Sequence, residues 1–317
     1  MFVNKGILHK KKPSLPFLKR SVVKNWQLYV LLAFPLTWFV IFRYWPMYGA
    51  QIAFRDYRIG DSFSGARFIG FDNFLRFFRN YLFWDLLKNT FSITLYNLVV
   101  GMPIPIIFAL CINATLSLKL KKVAQYITYM PYFISTVVMV GLLFQLFNPR
   151  IGIVNVLAEK LGGTKVDFMA KPEWFSSMYV WSGVWQMFGW NSIIYISALT
   201  SVSSELHEAC MIDGANRFKR MLHIDLPAIK PTFIVLLILN CGQLMNIGFE
   251  KIFLMQNPIN LRVSQVISTY VYTVGIRGMP PEFSYGAAID LFNSVVNMAL
   301  LLAVNSLASK MSDTSLF

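Results

Sequence analysis

Long apolar runs alternate with shorter polar ones along this chain, and the apolar runs have membrane length. Six of them stand out, at about Trp26 to Trp45, Phe91 to Ala114, Val123 to Phe147, Met178 to Leu199, Thr232 to Leu254 and Ala287 to Ala308. Each is close to the roughly 20 apolar residues that a helix needs to cross a bilayer. The pattern predicts an all-α integral membrane protein of six transmembrane helices. Pro103 and Pro105 in the second run and Pro131 in the third predict kinks, because neighbouring helices in a bundle can satisfy the carbonyls that proline frees.

The polar stretch between the fourth and fifth runs, residues 203–231, has its own pattern. Ser203 and Ser204 are N-cap residue types, and Glu205 and Glu208 complement the positive end of a helix. Leu206, Ala209 and Cys210 make an apolar stripe at i, i+3 and i+4. Gly214 lies where a helix needs a residue at positive φ to close it. A second short helix, carrying Phe218, Met221 and Leu222, is predicted to open near Ala215 and to end before Pro227. The unit reads as helix, glycine turn, helix. An amphipathic hairpin lying on the membrane surface would have a strongly basic polar face. Here Glu205, Glu208, Asp213 and Asp225 mix with Arg217, Lys219, Arg220 and Lys230, which suits a protein partner better.

Composition agrees with the membrane reading. The 317 residues are 56% hydrophobic and only 14% charged, against about 25% charged in soluble domains. The net charge of +14 is concentrated in the N-terminal tail and the loops, and no nucleic-acid motif accompanies it. Cys111, Cys210 and Cys241 have neither disulfide-framework nor metal-ligand spacing and read as small packing residues. Residues 1–25 form a basic tail without a single acid, which predicts a cytoplasmic N-terminus. A secretory signal is disfavoured by the length of the basic region, the full-length apolar run and the lack of an A-x-A cleavage site. Lys119, Lys121 and Lys122 make the short second loop cytoplasmic. Alternation then puts 203–231 on the same side, with residues 26–310 as one membrane domain and 311–317 as a C-terminal tail, also inside.

Three groups of residues carry a family resemblance. Glu208-Ala209-Cys210, Asp213-Gly214-Ala215, and Ile224-Asp225-Leu226-Pro227 with Pro231 resemble the E-A-A-x-x-x-G … I-x-L-P loop of permease subunits in bacterial binding-protein-dependent ABC importers. Cys210 stands in place of the second alanine and is similarly small. The resemblance covers roughly residues 86–310 and implies the type I importer permease fold. It also implies that Glu205, Glu208, Ala209, Asp213, Gly214, Ala215, Phe218, Leu226 and Pro227 belong to coupling helices seated on an ATPase. The implied partners are a second permease, two copies of that ATPase and an extracytoplasmic substrate-binding protein. Pro46-Met47-Tyr48-Gly49 and Ile52-Ala53-Phe54-Arg55-Asp56-Tyr57 resemble a branch serving oligosaccharide or polysaccharide uptake, alginate importers included. These words lie in a Gly- and Phe-punctuated segment, 46–88, that predicts an ordered external region with a short helix over Asn73 to Leu87.

Polar side chains within apolar runs are costly and tend to face the bundle interior or an aqueous path. Asn240, Gln243, Asn246 and Glu250 recur at helical spacing in the fifth run, as do Asp290, Asn293 and Asn297 in the sixth. In the fourth, Trp181, Trp185, Phe188 and Ser192 form a stripe, with Gln186 and Asn191 elsewhere on the surface. Amides opposite tryptophans suit a saccharide, which offers hydroxyls and apolar ring faces; bonding between helices is the competing role for the amides. No Walker A pattern occurs in the chain, so the expected subunit is non-catalytic, and ATP and magnesium are expected in the partner ATPase. An importer of a non-sugar solute, a self-contained secondary transporter and a membrane enzyme acting on lipid-linked sugars are the alternatives. The last two would need paired broken helices or clustered acids and histidines.

Overall fold

The computed structural model describes residues 23–311. Most of the basic tail and the last six residues lie outside the described residues. The first helix, α1 (Trp26–Phe39), continues through a π turn at Val40–Tyr44 and a 3-10 turn at Tyr48–Phe54, well past the expected end at Trp45. None of the residues of α1 is buried. The chain then forms a hairpin of β1 (Arg55–Asp56) and β2 (Arg67–Phe68), with Arg55 opposite Phe68. A short helix follows, α2 (Asp72–Phe78), shorter than expected.

This segment, expected to be external, is ordered by named bonds. The Arg55 guanidinium donates to the carbonyls of Ser64 and Ala66, both at 2.8 Å, and closes the hairpin. Asn73 donates to the Ala53 carbonyl at 3.0 Å. Arg76 grips Glu282 through two bonds, of 2.5 and 3.1 Å, and lies over the Tyr285 ring. The segment is thereby fastened to the start of the last helix.

The second run becomes α3 (Phe83–Gly101) and α4 (Pro103–Ala114), a single span with its irregularity at Met102, as the prolines predict. The third run differs from expectation. It forms α5 (Leu118–Tyr129), a 3-10 turn at Met130–Phe133 and α6 (Thr136–Leu146), and the two halves bend by 100°. Pro131 thus marks a break rather than a kink. Ser135 caps α6 by accepting from the Val138 amide, and the Ile134 carbonyl freed at the break accepts from Gln186 at 2.7 Å. After α7 (Ile153–Lys160) comes α8 (Pro172–Thr200), 29 residues long. At Gly189 α8 approaches the α5 backbone so closely that a Cβ would lie 2.1 Å from the Thr128 carbonyl oxygen.

The polar stretch holds α9 (Ser204–Ile212) and α10 (Arg217–Arg220). Contrary to expectation, the second helix does not stop before Pro227. It passes through a π turn at Met221–Asp225 into α11 (Leu226–Cys241). A π turn widens the helix and shifts the carbonyls that a proline ring two residues later would strike. The first helix repeats the device, its π turn preceding Pro46.

The fifth run also departs from expectation. The helix ends at Cys241 and turns through Gly242 to Gly248 before the short α12 (Phe249–Met255), so Asn240, Gln243, Asn246 and Glu250 do not share one helix face. Two further short helices follow, α13 (Leu261–Ser264) and α14 (Ile267–Gly275), which the apolar pattern did not signal. The Thr90 hydroxyl accepts from the Ile267 amide at the start of α14. Last comes α15 (Phe283–Met311), which contains the sixth run. It crosses α14 where Gly275 and Gly286 face each other.

Among the described residues four helical runs are long and apolar enough to cross a membrane, and the bent pair α5/α6 would make a fifth. The 29-residue α8 is not among them, because its serines, asparagine and glutamine dilute its apolar character.

Candidate functional site

A cleft of about 1100 Å³ opens between α3/α4, α8 and the turn joining α11 to α12. The early end of α11 builds much of it, since the turn that follows exposes side chains where a straight helix would fill the space; beyond the break at Pro131, Thr136 at the start of α6 reaches the cleft. Gln186, Asn191, Asn240, Gln243 and Asn246 all line it, as does Glu250. The turn brings together residues that the helical spacing was expected to align. Asn240 bonds back to the Leu236 carbonyl, and Asn246 donates to the Gln243 side-chain oxygen at 2.9 Å.

Asn293 and Asn297 stand behind this wall. Asn293 donates to the Asn246 side-chain oxygen and Asn297 accepts from the Met245 amide, each at 2.9 Å, so both brace the turn from α15. They are buried, and neither lines the cleft. Trp181 and Trp185 are also outside the lining: Trp181 donates to the Tyr96 hydroxyl, and Ser192 is buried against its own helix. The aromatic wall comes from Tyr179, Phe188, Trp190, Tyr195 and Phe249 instead. Trp190 is stacked on Tyr132, centroids 4.1 Å apart.

Lys251 is the lining residue that the pattern of apolar runs concealed. Its ammonium donates to the Tyr179 carbonyl at 2.9 Å and lies 4.9 Å from the centre of that tyrosine's ring. No carboxylate among the described residues forms an ion pair with it. Asn97, also on the wall, had a signal in its position within the second apolar run. Lys251 had none, since a lysine beside Glu250 reads as a solvated pair.

The polar stretch forms a second feature. The Ser203 hydroxyl accepts from the Glu205 amide and caps α9. Gly214 has φ +75°, and the amides of Gly214 and Ala215 donate to the carbonyls of Met211 and Cys210, the paired bonds of a Schellman closure. Asn216 caps α10 by accepting from the Lys219 amide at 2.8 Å. Glu205, Glu208, Ala209, Asp213, Phe218, Leu226 and Pro227 are exposed, and Ala215 is half-buried. Leu206, Ile212, Phe218 and Leu222 are exposed beside them, giving the loop an uncovered apolar face.

A helical membrane subunit with a broken-helix cleft and a protruding two-helix loop is the architecture of a transport permease. The model of the family described as "Binding-protein-dependent transport system inner membrane component" matches residues 101–313, and the chain belongs to that family. Protein LplB of Bacillus subtilis (strain 168) is 40% identical over 315 residues, covering 97% of this chain and 98% of that protein. The polygalacturonan/rhamnogalacturonan transport system permease protein YteP of the same organism is 36% identical, covering 97% and 95%. Among solved structures, a chain of a bacterial ABC transporter involved in the import of the acidic polysaccharide alginate is similar at a TM-score of 0.85 and 35% identity. The match covers 93% of this chain and 99% of that one.

Proposed function

We propose that this chain forms half of the membrane path of an ATP-driven importer and passes a saccharide delivered by an extracytoplasmic binding protein. The observation that carries the reading is the cleft, where six amide side chains face aromatic rings around a space of about 1100 Å³. Amides match sugar hydroxyls as donors and acceptors, and rings match the apolar faces of pyranoses. The Lys251 ammonium, held by Tyr179 rather than by a carboxylate, favours a saccharide bearing carboxylates; Glu250 on the same wall would accept from hydroxyls. The names of YteP and of the alginate importer agree with that class.

The exposed apolar face of α9 and α10 supports an ATPase partner at the cytoplasmic end, where ATP and magnesium would be bound. The wholly unburied α1 supports a second permease beside this one. The functional core would span 86–310, crossing six times with both termini inside. Span three would cross as the bent pair, and the polar residues of α8 would be shielded by the bundle and the second permease.

Gly214→Val and Glu208→Lys test the loop. The first forces a β-branched residue to φ +75°, at a strain of about 1–3 kcal/mol; the second reverses a charge on the exposed middle of α9, where the partner would seat. Both variants are expected to reach the membrane, retain little ATPase on purification and lose uptake. Normal ATPase retention with normal uptake in both would refute the coupling assignment. Lys251→Met is expected to reduce uptake of an oligogalacturonide at least fivefold more than that of its carboxyl-reduced, neutral counterpart; equal effects would remove the acidic class.

A further inference from the structure

Among the described residues, the cytoplasmic end of the molecule buries one carboxylate. Asp225, the last residue of the π turn below α11, is 3% exposed. Its neighbours along the helix, Met221 and Ile229, pack with Ala109, Leu110, Tyr195 and Leu199 in an apolar cluster. A carboxylate in such surroundings persists only when its oxygens are bonded. One of them is met from two sides. His207 Nε2, on α9, lies 3.3 Å from Asp225 Oδ1, and Asn113 Nδ2, at the end of α4, donates to the same oxygen at 3.2 Å. The Asn113 main-chain carbonyl accepts from Lys121 Nζ of α5 at 3.3 Å.

These contacts join elements otherwise separated by loops. The capped and exposed α9 has few other fixings to the bundle, since none of its residues is buried. The half-buried His207 is its polar tie to Asp225, and Asn113 continues that tie to the end of the span whose other turns line the cleft. We propose that Asp225 is the joint through which displacement of α9 is passed to α4, with His207 and Asn113 as positioning residues. The proposal rests on the reading that an ATPase seats on α9 and α10. The π turn suits the role: it places Asp225 on the inner side of the helix and gives that helix a compliant turn on which to pivot.

The joint can be tested without knowing the solute. The full complex, purified with its permease and ATPase partners into nanodiscs, would carry Asn191→Cys in the cleft as reporter, with Cys111, Cys210 and Cys241 replaced by alanine. Modification by an impermeant maleimide is compared between the nucleotide-free state and the state trapped with ATP and vanadate. The parent is expected to change in rate at least fivefold. His207→Phe, which keeps a ring of similar size but removes the bond, and Asn113→Leu are each expected to reduce that change to less than twofold while the ATPase remains bound and still hydrolyses ATP. Asp225→Asn keeps the one oxygen that both partners meet, able to accept from the Asn113 amide and from the Nε2–H of a neutral imidazole, and is expected to retain at least half the change. A parent-sized change in His207→Phe overturns the joint, even if Asn113→Leu fails to assemble. So does loss of ATPase binding in His207→Phe together with the change, which would make the contact part of docking. Failure of the parent itself to hold an ATPase overturns the underlying functional reading, and the joint with it.

Discussion

Replacing Gly189 with alanine should force α8 away from α5. A Cβ at this position would lie 2.1 Å from the Thr128 carbonyl oxygen, 2.5 Å from its carbon and 2.9 Å from the Thr128 Cβ. Cβ contacts below 3.0 Å are essentially never seen, so the two chains must part by about 0.9 Å at this point. Because the obstacle is main chain, no rotamer change can relieve it. Overpacking of this kind costs about 1–3 kcal/mol, and a rigid obstacle favours the upper part of that range. Two nearby ties across the same crossing would loosen as well: the Gln186 bond to Ile134 and the stack of Trp190 on Tyr132. Trp190 therefore offers an intrinsic reporter, through the fluorescence of a variant in which other tryptophans are replaced. Gly141 in α6 is the control, since an added Cβ there meets nothing within 4 Å and alanine is the better helix former. Gly189→Ala is expected to lower the thermal midpoint of the purified complex and shift the Trp190 emission, whereas Gly141→Ala leaves both unchanged or raises the midpoint slightly. Equal midpoints for the two variants would refute the close-crossing account.

Gln186→Leu should leave the Ile134 carbonyl without its donor at the break in span three, at a cost of about 1–3 kcal/mol; the same thermal assay would register it, and an unchanged midpoint would speak against the bond. Asn297→Leu should destabilise the α11–α12 turn by a similar amount through the Met245 amide, whereas Asn240→Leu, whose side chain bonds only its own helix, should lower uptake with little effect on the midpoint. For topology, a cysteine at Ser117 is expected to react only with membrane-permeant reagents and one at Lys165 with impermeant ones too; the reverse labelling would overturn the orientation.

Local chemistry is where sequence was most informative. Ser203 caps α9 and Gly214 closes it at positive φ because those requirements are set within a few residues. The membrane class follows similarly from composition, since apolar runs of bilayer length have little other use. The same local logic misjudged Pro227. A proline ends a regular helix, but the π turn at Met221–Asp225 supplies room for its ring, and nothing in the residue types alone announces that turn.

The cleft shows the division most clearly. Helical spacing in the fifth run grouped Asn240, Gln243, Asn246 and Glu250, and all four do line the cleft, yet through a turn after Cys241 rather than a helix face. The same spacing also grouped Asn293 and Asn297, which brace that turn from behind. Periodicity states which residues share a side of an element; it carries no information about what packs against that side. The sequence by itself determined the membrane class, the capped loop with its glycine turn and the polar residues that a membrane helix would not hold without a reason. The tertiary structure alone decided which amides face open space and which face a neighbour, where Lys251 lies, and that His207, Asp225 and Asn113 meet. Those contacts join residues as many as 112 positions apart, as in Asn113 and Asp225, and depend on how whole helices cross. Crossings are set by many weak packing contacts summed over the bundle, such as the approach of Gly189 to Thr128, and no short stretch of sequence contains that sum.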